Sequence, residues 1–396
     1  MRSTASGRST PRGFWAVWTA VALDLLGFGI IIPILPLYAA EFGADPPTIG
    51  LLLAAYSLAQ LVFAPVWGRL SDRVGRKPVL VVTLVGSAVG SLVLALAGSV
   101  VILFVGRIVD GVSGASVAVA RAVVADTADE AARPRLMGLL GAAFGVGFVL
   151  GPALGGLAGL FGQRVPFLIA AVIAAGNAVV TWRRLPETRS RTPAMVPTGL
   201  RAFREVGDGV APLIVLSFVA VAAFSLFEST FALLAAERLA LTTPAVSGIF
   251  ALVGLVLVAT QAGLVGPMSR RFSELALVGI GLGLDVGGFL AVAMGTSWLG
   301  LGLGVVLLAV GQGLATPAIS SVIAGRAPTG RAGAVLGIHQ SAGGLARVVG
   351  PVVGGVLYAV GAAMPYFTAA FATLGALVAL PRAVLRPELR PLPPDR

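Results

Sequence analysis

Twelve stretches of about twenty residues, each nearly free of charge, recur along the chain, and that pattern dictates the solvent in which it folds. Crossing roughly 30 Å of hydrocarbon takes about 20 residues of helix, because each residue advances the axis by about 1.5 Å. Cutting the chain wherever charge, Pro or Gly interrupts an apolar run predicts spans at residues 14–38, 48–68, 78–98, 100–124, 136–160, 165–183, 211–235, 245–267, 275–295, 298–323, 332–357 and 363–381. Only 11% of the 396 residues are charged, against 57% hydrophobic. A soluble chain of this length carries charge on about a quarter of its residues, so the bilayer is the expected solvent. The fold class is therefore an all-α membrane protein of twelve transmembrane helices.

The net charge of +11 could indicate nucleic acid, but the bases follow topology instead. In the span assignment 23 Lys and Arg fall in predicted cytoplasmic segments, and only Arg164 and Arg238 fall in outer loops. That asymmetry predicts both termini in the cytoplasm and makes a nucleic-acid partner unnecessary. Trp15, Trp18, Trp67, Trp182 and Trp298 all fall at predicted span ends, where indole rings favour the headgroup level. The apolar run Phe14–Tyr38 is too long for a cleavable signal and is expected to stay as the first span. The chain has no cysteine, which excludes disulfides and thiolate metal sites. Arg outnumbers Lys 27 to 1 in an Ala-, Gly- and Val-rich chain, which fits a bacterial inner membrane protein.

The longest connection, residues 184–210, is basic and contains Pro186, Pro193 and Pro197. It reads as a cytoplasmic linker between a bundle at residues 1–183 and a second at 211–396, the latter ending in a short cytoplasmic tail. An internal repeat supports the division. Gly138, Gly145, Gly151, Pro152, Gly155 and Gly156 recur 199 residues later as Gly337, Gly344, Gly350, Pro351, Gly354 and Gly355. A fainter echo links Gly68–Arg73 to Gly266–Arg271.

Three motifs point to a family. The loop Gly68-Arg69-Leu70-Ser71-Asp72-Arg73-Val74-Gly75-Arg76-Lys77-Pro78-Val79-Leu80 resembles the signature loop of the major facilitator superfamily at every defined position. Span 5 carries Gly138, Gly147, Gly151, Pro152, Gly155 and Gly156 in the spacing G-x8-G-x3-G-P-x2-G-G, which resembles the antiporter motif of that superfamily's drug/proton exchangers. Span 1, with Leu23-Asp24-Leu25-Leu26-Gly27-Phe28-Gly29 and Pro33-Ile34-Leu35-Pro36, is similar to the first helix of tetracycline-type and multidrug antiporters, and Gly106-Arg107-Ile108-Val109-Asp110-Gly111 is similar to their buried-arginine motif. The resemblance covers nearly all of the first half. It implies two six-helix bundles that rock about a midplane site, a gate built from Gly68, Asp72, Arg73, Gly75, Arg76, Lys77 and Asp126, and a contact of Asp72 with a helix N-terminus or an Arg across the seam between halves that latches one state. The loop equally fixes topology, and the span-5 glycines equally make a generic packing face. Two positions depart from tetracycline exporters. Gly90 stands where they carry an acid in span 3, and span 8 has no histidine, so the expected cargo is lipophilic, with tetracycline itself disfavoured.

An ionisable group inside a span costs at least a few kcal/mol and needs a partner or a task. Asp24 lies near the midplane and leads as proton or substrate site, with a structural carboxyl bonded to a neighbouring helix as the alternative. Arg107 and Asp110, three apart on one helical face, neutralise each other or couple to Asp24. Glu228, Asp285, His339 and Arg347 are the candidates in the second half. Phe224, Phe227 and Phe231 flank Glu228 at helical spacing, either lining a cavity for lipophilic cations or packing against lipid and protein. Acids outnumber bases in this set, which favours proton coupling. No P-loop, nucleophile triad or metal-ligand cluster is present, so the chain is read as a non-enzyme without cofactor or metal, driven by the proton gradient. Its partners are protons, a small-molecule substrate and the lipid bilayer, and it is expected to act as a monomer. The rivals are a symporter or a metabolite or lipid exporter on the same scaffold, and a non-transporting sensor or scaffold.

Overall fold

The computed structural model describes residues 13–129, 132–188, 209–328 and 332–385. These form helices and connecting turns, with no strand among them. In chain order the helices are α1 (Phe14–Ile31), α2 (Leu35–Glu41), α3 (Pro46–Val74), α4 (Arg76–Ala95), α5 (Val100–Ser113), α6 (Ser116–Thr127), α7 (Arg133–Gly159) and α8 (Val165–Arg184). They continue as α9 (Ala211–Leu239), α10 (Thr243–Ala259), a π turn at Thr260–Leu264, α11 (Val265–Ser269), α12 (Glu274–Met294), α13 (Trp298–Gly325), α14 (Ala332–Val360) and α15 (Met364–Leu385). Eleven helical segments are long and apolar enough to cross a membrane, and a shorter apolar stretch at Met364–Leu380 matches the twelfth expected span. Most of the basic linker, including Pro193 and Pro197, and both chain ends lie outside the described residues.

Burial is inverted relative to a soluble protein, as lipid solvation demands. Val101, Val172, Phe161 and Leu299 are exposed, while Arg107, Asp110, Asn177, Asp285 and Gln312 are buried. The described residues within 1–194 and 235–255 make one compact unit, and those within 195–234 and 256–396 make the other.

Three span edges differ from expectation for a common reason, that hydropathy does not register a backbone break. The first span is two helices, with Ile32–Ile34 as the turn before α2, because Pro33 and Pro36 cannot donate to a continuous ladder. The fourth is broken at Gly114 and Ala115 between α5 and α6. The signature loop is almost entirely helical, since α3 runs through Gly68 to Val74 and the chain turns at Gly75 alone, with φ of 114°. Gly68 has open space around it and makes no turn. Two of the five tryptophans are half-buried and hydrogen-bonded to backbone: Trp18 Nε1 donates to Leu139 O (2.7 Å) and Trp67 Nε1 to Val112 O (2.5 Å).

The repeat extends to atomic packing. A Cβ on Gly90 of α4 would meet Asp110 of α5, and one on Gly106 of α5 would meet Leu94 of α4. Each residue has its counterpart 198 positions on, where Gly288 meets Leu308 and Gly304 meets Val292 between α12 and α13. Similarly, Ser71 Oγ donates to Gly68 O (2.8 Å) and Ser269 Oγ to Gly266 O (2.9 Å), so the faint echo retains a hydroxyl bond to the carbonyl three residues back although its charges have changed.

Outside the spans, Asp45 caps α3 and accepts from the Thr48 amide at 3.0 Å. Hydrogen bonds from the Thr48 hydroxyl and amide hold its carboxyl below the ordinary carboxylate range. A lowered folded-state pKa contributes stability that is present above the unfolded value and is lost as pH falls through the folded one. Asp45→Ala is therefore expected to lower the melting temperature at pH 7, by a difference that fades below about pH 4. Thermal unfolding of both proteins in detergent across that range checks it.

Candidate functional site

The break between α5 and α6 creates the local geometry. A helix interrupted in the bilayer leaves carbonyls that water cannot satisfy, and each must find a donor within the protein. Two side chains of α3 supply them: Gln60 Nε2 donates to Gly114 O (2.8 Å) and Trp67 Nε1 to Val112 O. A Cβ at Gly114 would sit 2.7 Å from the Gln60 amide nitrogen and would have to displace it. Gln60→Leu keeps the volume but orphans the Gly114 carbonyl, and it is expected to cost about 1–3 kcal/mol. Thermal unfolding of purified protein measures this.

The break starts α6 at Ser116, whose hydroxyl donates to Asp24 Oδ2 of α1 at 2.5 Å. Ser87 of α4 lies within hydrogen-bonding reach of both Asp24 and Asp110, and Asp110 is near enough to Asp24 for the two charges to repel. Asp110 Oδ2 in turn accepts from Arg107 Nη1 at 3.4 Å. The Arg107 guanidinium is 2% exposed and lies 4.2 Å from the centre of the Tyr56 ring, while its Nε has no hydrogen-bond partner. Tyr56 packs on Phe28 (5.1 Å between centroids), and Phe28 on Phe148 (6.5 Å). The structure thus brings Asp24, Arg107 and Asp110 into one cluster. It adds Ser87, Ser116, Tyr56 and Gln60, which the sequence reading did not single out because polar neutral residues cost little in a span and leave no pattern. Arg121 on α6 also went unread, hidden within the apolar run of the fourth expected span. Two carboxyls and one guanidinium share the cluster, so one carboxyl lacks a counter-charge.

The glycines of α7 seat Asp24's helix. Gly147 packs on the Leu25 backbone, Gly151 on Leu26 O and Gly29, and Gly155 on Ile30 O, each so close that a Cβ would lie 3.0 Å or less from α1. Gly156 faces the other way, toward Ser247 and Pro244 of α10, and Gly138 has nothing within 4 Å. Pro152 lies inside the helix, next to Gly151.

At one end of α3 a second charged group surrounds Arg76. Its guanidinium reaches Asp72 (2.5 Å), Asp126 (2.9 Å) and the Ser71 hydroxyl (2.6 Å), and the residue is 7% exposed. Asp72 therefore pairs within its own unit, with the Arg one turn further along. Arg73 lies in the last turn of α3, and the Lys77 amide points to Glu187.

In the second unit the candidates do not join into one hydrogen-bonded cluster. Asp285 of α12 is 1% exposed, with Oδ2 accepting from Gln312 Nε2 at 2.9 Å and Oδ1 without a partner. Gln312 Oε1 accepts from Thr316 at 3.1 Å. Glu228 of α9 is half-buried and feels the charge of Arg347 on α14, with no ion pair formed between them within 4 Å. His339 and Ser217 share a 2.7 Å hydrogen bond. Phe224, Phe227 and Phe231 form a ladder at 5.7 and 5.0 Å, but Phe227 and Phe231 are fully buried, so only Phe224 keeps surface. No cluster of metal-ligand type occurs among the described residues.

Comparison with known proteins gives a consistent picture. The Major Facilitator Superfamily profile matches residues 17–351. The tetracycline resistance protein, class D, of Salmonella ordonez is 33% identical over 340 residues, covering 84% of this chain and 86% of that protein. The crystal structure of the human organic anion transporter MFSD10 (TETRAN) superposes with a TM-score of 0.70 at 28% identity, covering 93% of this chain and 99% of that one. The nucleoside transporter NupG, at 15% identity and a TM-score of 0.76 over 96% of this chain and 99% of its own, shares the fold.

Proposed function

Because the chain belongs to the major facilitator superfamily of membrane transporters, and is not an enzyme, we propose that it is a proton-coupled antiporter that exports lipophilic, in part cationic, small molecules by alternating access. The observation that carries this reading is the Asp24 carboxyl, held by Ser116 in a membrane-embedded cluster with more acid than base. In the charged state its oxygens accept from Ser116 and Ser87, while Arg107 offsets Asp110. Protonation removes the repulsion between the two carboxyls and frees the hydroxyls, so cargo and proton compete for one place. The close α1 and α7 backbones carry a change at Asp24 into the helix with the antiporter-like glycines. No cofactor or metal enters this scheme, and a monomer suffices for it.

The tetracycline resistance proteins support efflux as the direction. Tetracycline is disfavoured as cargo, since any side chain at position 90 would strike the Asp110 backbone, leaving no room for an acid there. A second reading, an organic anion as cargo, is favoured by the unpartnered Nε of Arg107. One assay separates the two. Proteoliposomes with an acidic lumen are given a fluorescent lipophilic cation or a fluorescent organic anion, with and without a protonophore. Gradient-dependent cation accumulation supports the proposal, anion accumulation supports the second reading, and flux indifferent to the gradient refutes proton coupling.

A further inference from the structure

We propose that Glu187 is a positioning residue that clamps the start of α4 and so aims Arg76 at its two carboxylates; the inference rests on the transport reading above. The local sequence delivers this side chain. Leu185 precedes a proline and is extended (φ −81°, ψ 119°), which ends α8, and its own side chain is 1% exposed in the apolar core beside Phe14. Pro186 packs against Gly13, where a Cβ would lie 3.0 Å from the proline ring. A tripeptide anchored at two points thus presents the carboxylate at a fixed place.

There Glu187 Oε1 accepts from the Arg76 amide at 2.9 Å and Oε2 from the Lys77 amide at 3.3 Å. These are orphan donors of the first turn of α4, and an anion at a helix N-terminus also meets the favourable end of its dipole. Gly75 makes room for it twice over. Its φ of 114° is closed to other residues without strain, and a Cβ would lie 2.5 Å from Glu187 Oε2. Arg76 is therefore held at both ends, by Glu187 on its amide and by Asp72, Asp126 and Ser71 on its guanidinium. The glycine of the signature loop serves as the seat of a carboxylate 112 residues away in sequence (187 minus 75). The clamp fastens the start of the linker to the group expected to gate.

Hydrogen exchange and transport test it together. In Glu187→Ala the segment 75–80 is expected to exchange at least about tenfold faster, because two protected amides lose their acceptor, while the core of α1 is unchanged. The maximal transport rate should fall about tenfold with KM within about twofold, since the clamp is remote from the Asp24 cluster. Glu187→Gln keeps one acceptor oxygen and should lie between, which separates the clamp from a general folding defect. Gly75→Ala should reproduce the Glu187→Ala phenotype, and the double variant should be no worse than either single one. Unchanged exchange in Glu187→Ala overturns the clamp, and faster exchange at full transport rate overturns its positioning role. If the wild-type protein shows no gradient-driven flux, the antiporter reading fails, and exchange alone decides the clamp.

Discussion

Asp24→Asn is expected to bring pH-gradient-driven transport down to the background of empty liposomes while leaving the protein folded. Asn is isosteric, and its Oδ1 still accepts from Ser116, so the α1–α6 contact survives. The proton-exchanging group does not. Removing one of two neighbouring carboxyls also removes their repulsion, so the melting temperature should stay level or rise slightly. A sharper signature follows from coupling. Energy-independent exchange of labelled for unlabelled cationic cargo across the membrane should fall as well, because Asn mimics the protonated carboxyl with which that cargo competes. Full gradient-driven flux in this variant would remove Asp24 from the mechanism. Loss of folding would mean that the carboxyl is structural.

The second large effect is expected at Gly147. A Cβ there would lie 2.7 Å from the carbonyl carbon and oxygen of Leu25, and backbone atoms cannot swing aside as a side-chain end can. Overpacking a core typically costs 1–3 kcal/mol, and Gly147→Leu should lie at or above the top of that range, with transport abolished because α1 is pushed away from α7 at the residue next to Asp24. Gly138→Leu is the matched control. Nothing lies within 4 Å of it, so its melting temperature should stay near that of the wild type, within about 0.5 kcal/mol. Thermal unfolding and flux on the pair distinguish a glycine needed for contact from one that only shares a motif. Equal tolerance at both positions would show that the α1–α7 approach is not required.

Much of this fold is legible in the sequence because hydrocarbon is an unforgiving solvent. Every span needs a long apolar run, and the twelve expected runs find their helices. The backbone breaks at Ile32–Ile34 and Gly114–Ala115 escape a reading by hydropathy, which does not register Pro33, Pro36 or Gly114 as interruptions of an apolar run. Charges inside spans announce themselves by cost, which is why Asp24, Arg107 and Asp110 could be named before their contacts were known. Their assembly into one cluster could not be read, because Ser87, Ser116 and Tyr56 come from three other helices and carry no such cost. In the second half the same signal named Glu228, Asp285, His339 and Arg347, yet only Glu228 and Arg347 act on each other, while Asp285 and His339 bond to Gln312 and Ser217. A charge in a span marks expense, not company. Glu187 gave no signal at all, being an ordinary acid in a polar stretch whose partner amides lie 110 and 111 residues back.

The two α3 side chains that close the α5–α6 interruption tie three helical rods into a splinted block. A splinted joint resists bending, so whatever shape change accompanies turnover should bypass it and fall on less braced neighbours. Glycine-smooth surfaces, which can slide without unlocking a side chain, suit that task. Spin labels on α3 and α6 should accordingly keep a constant separation through the working cycle, whereas a pair on α1 and α7 should report a changing one.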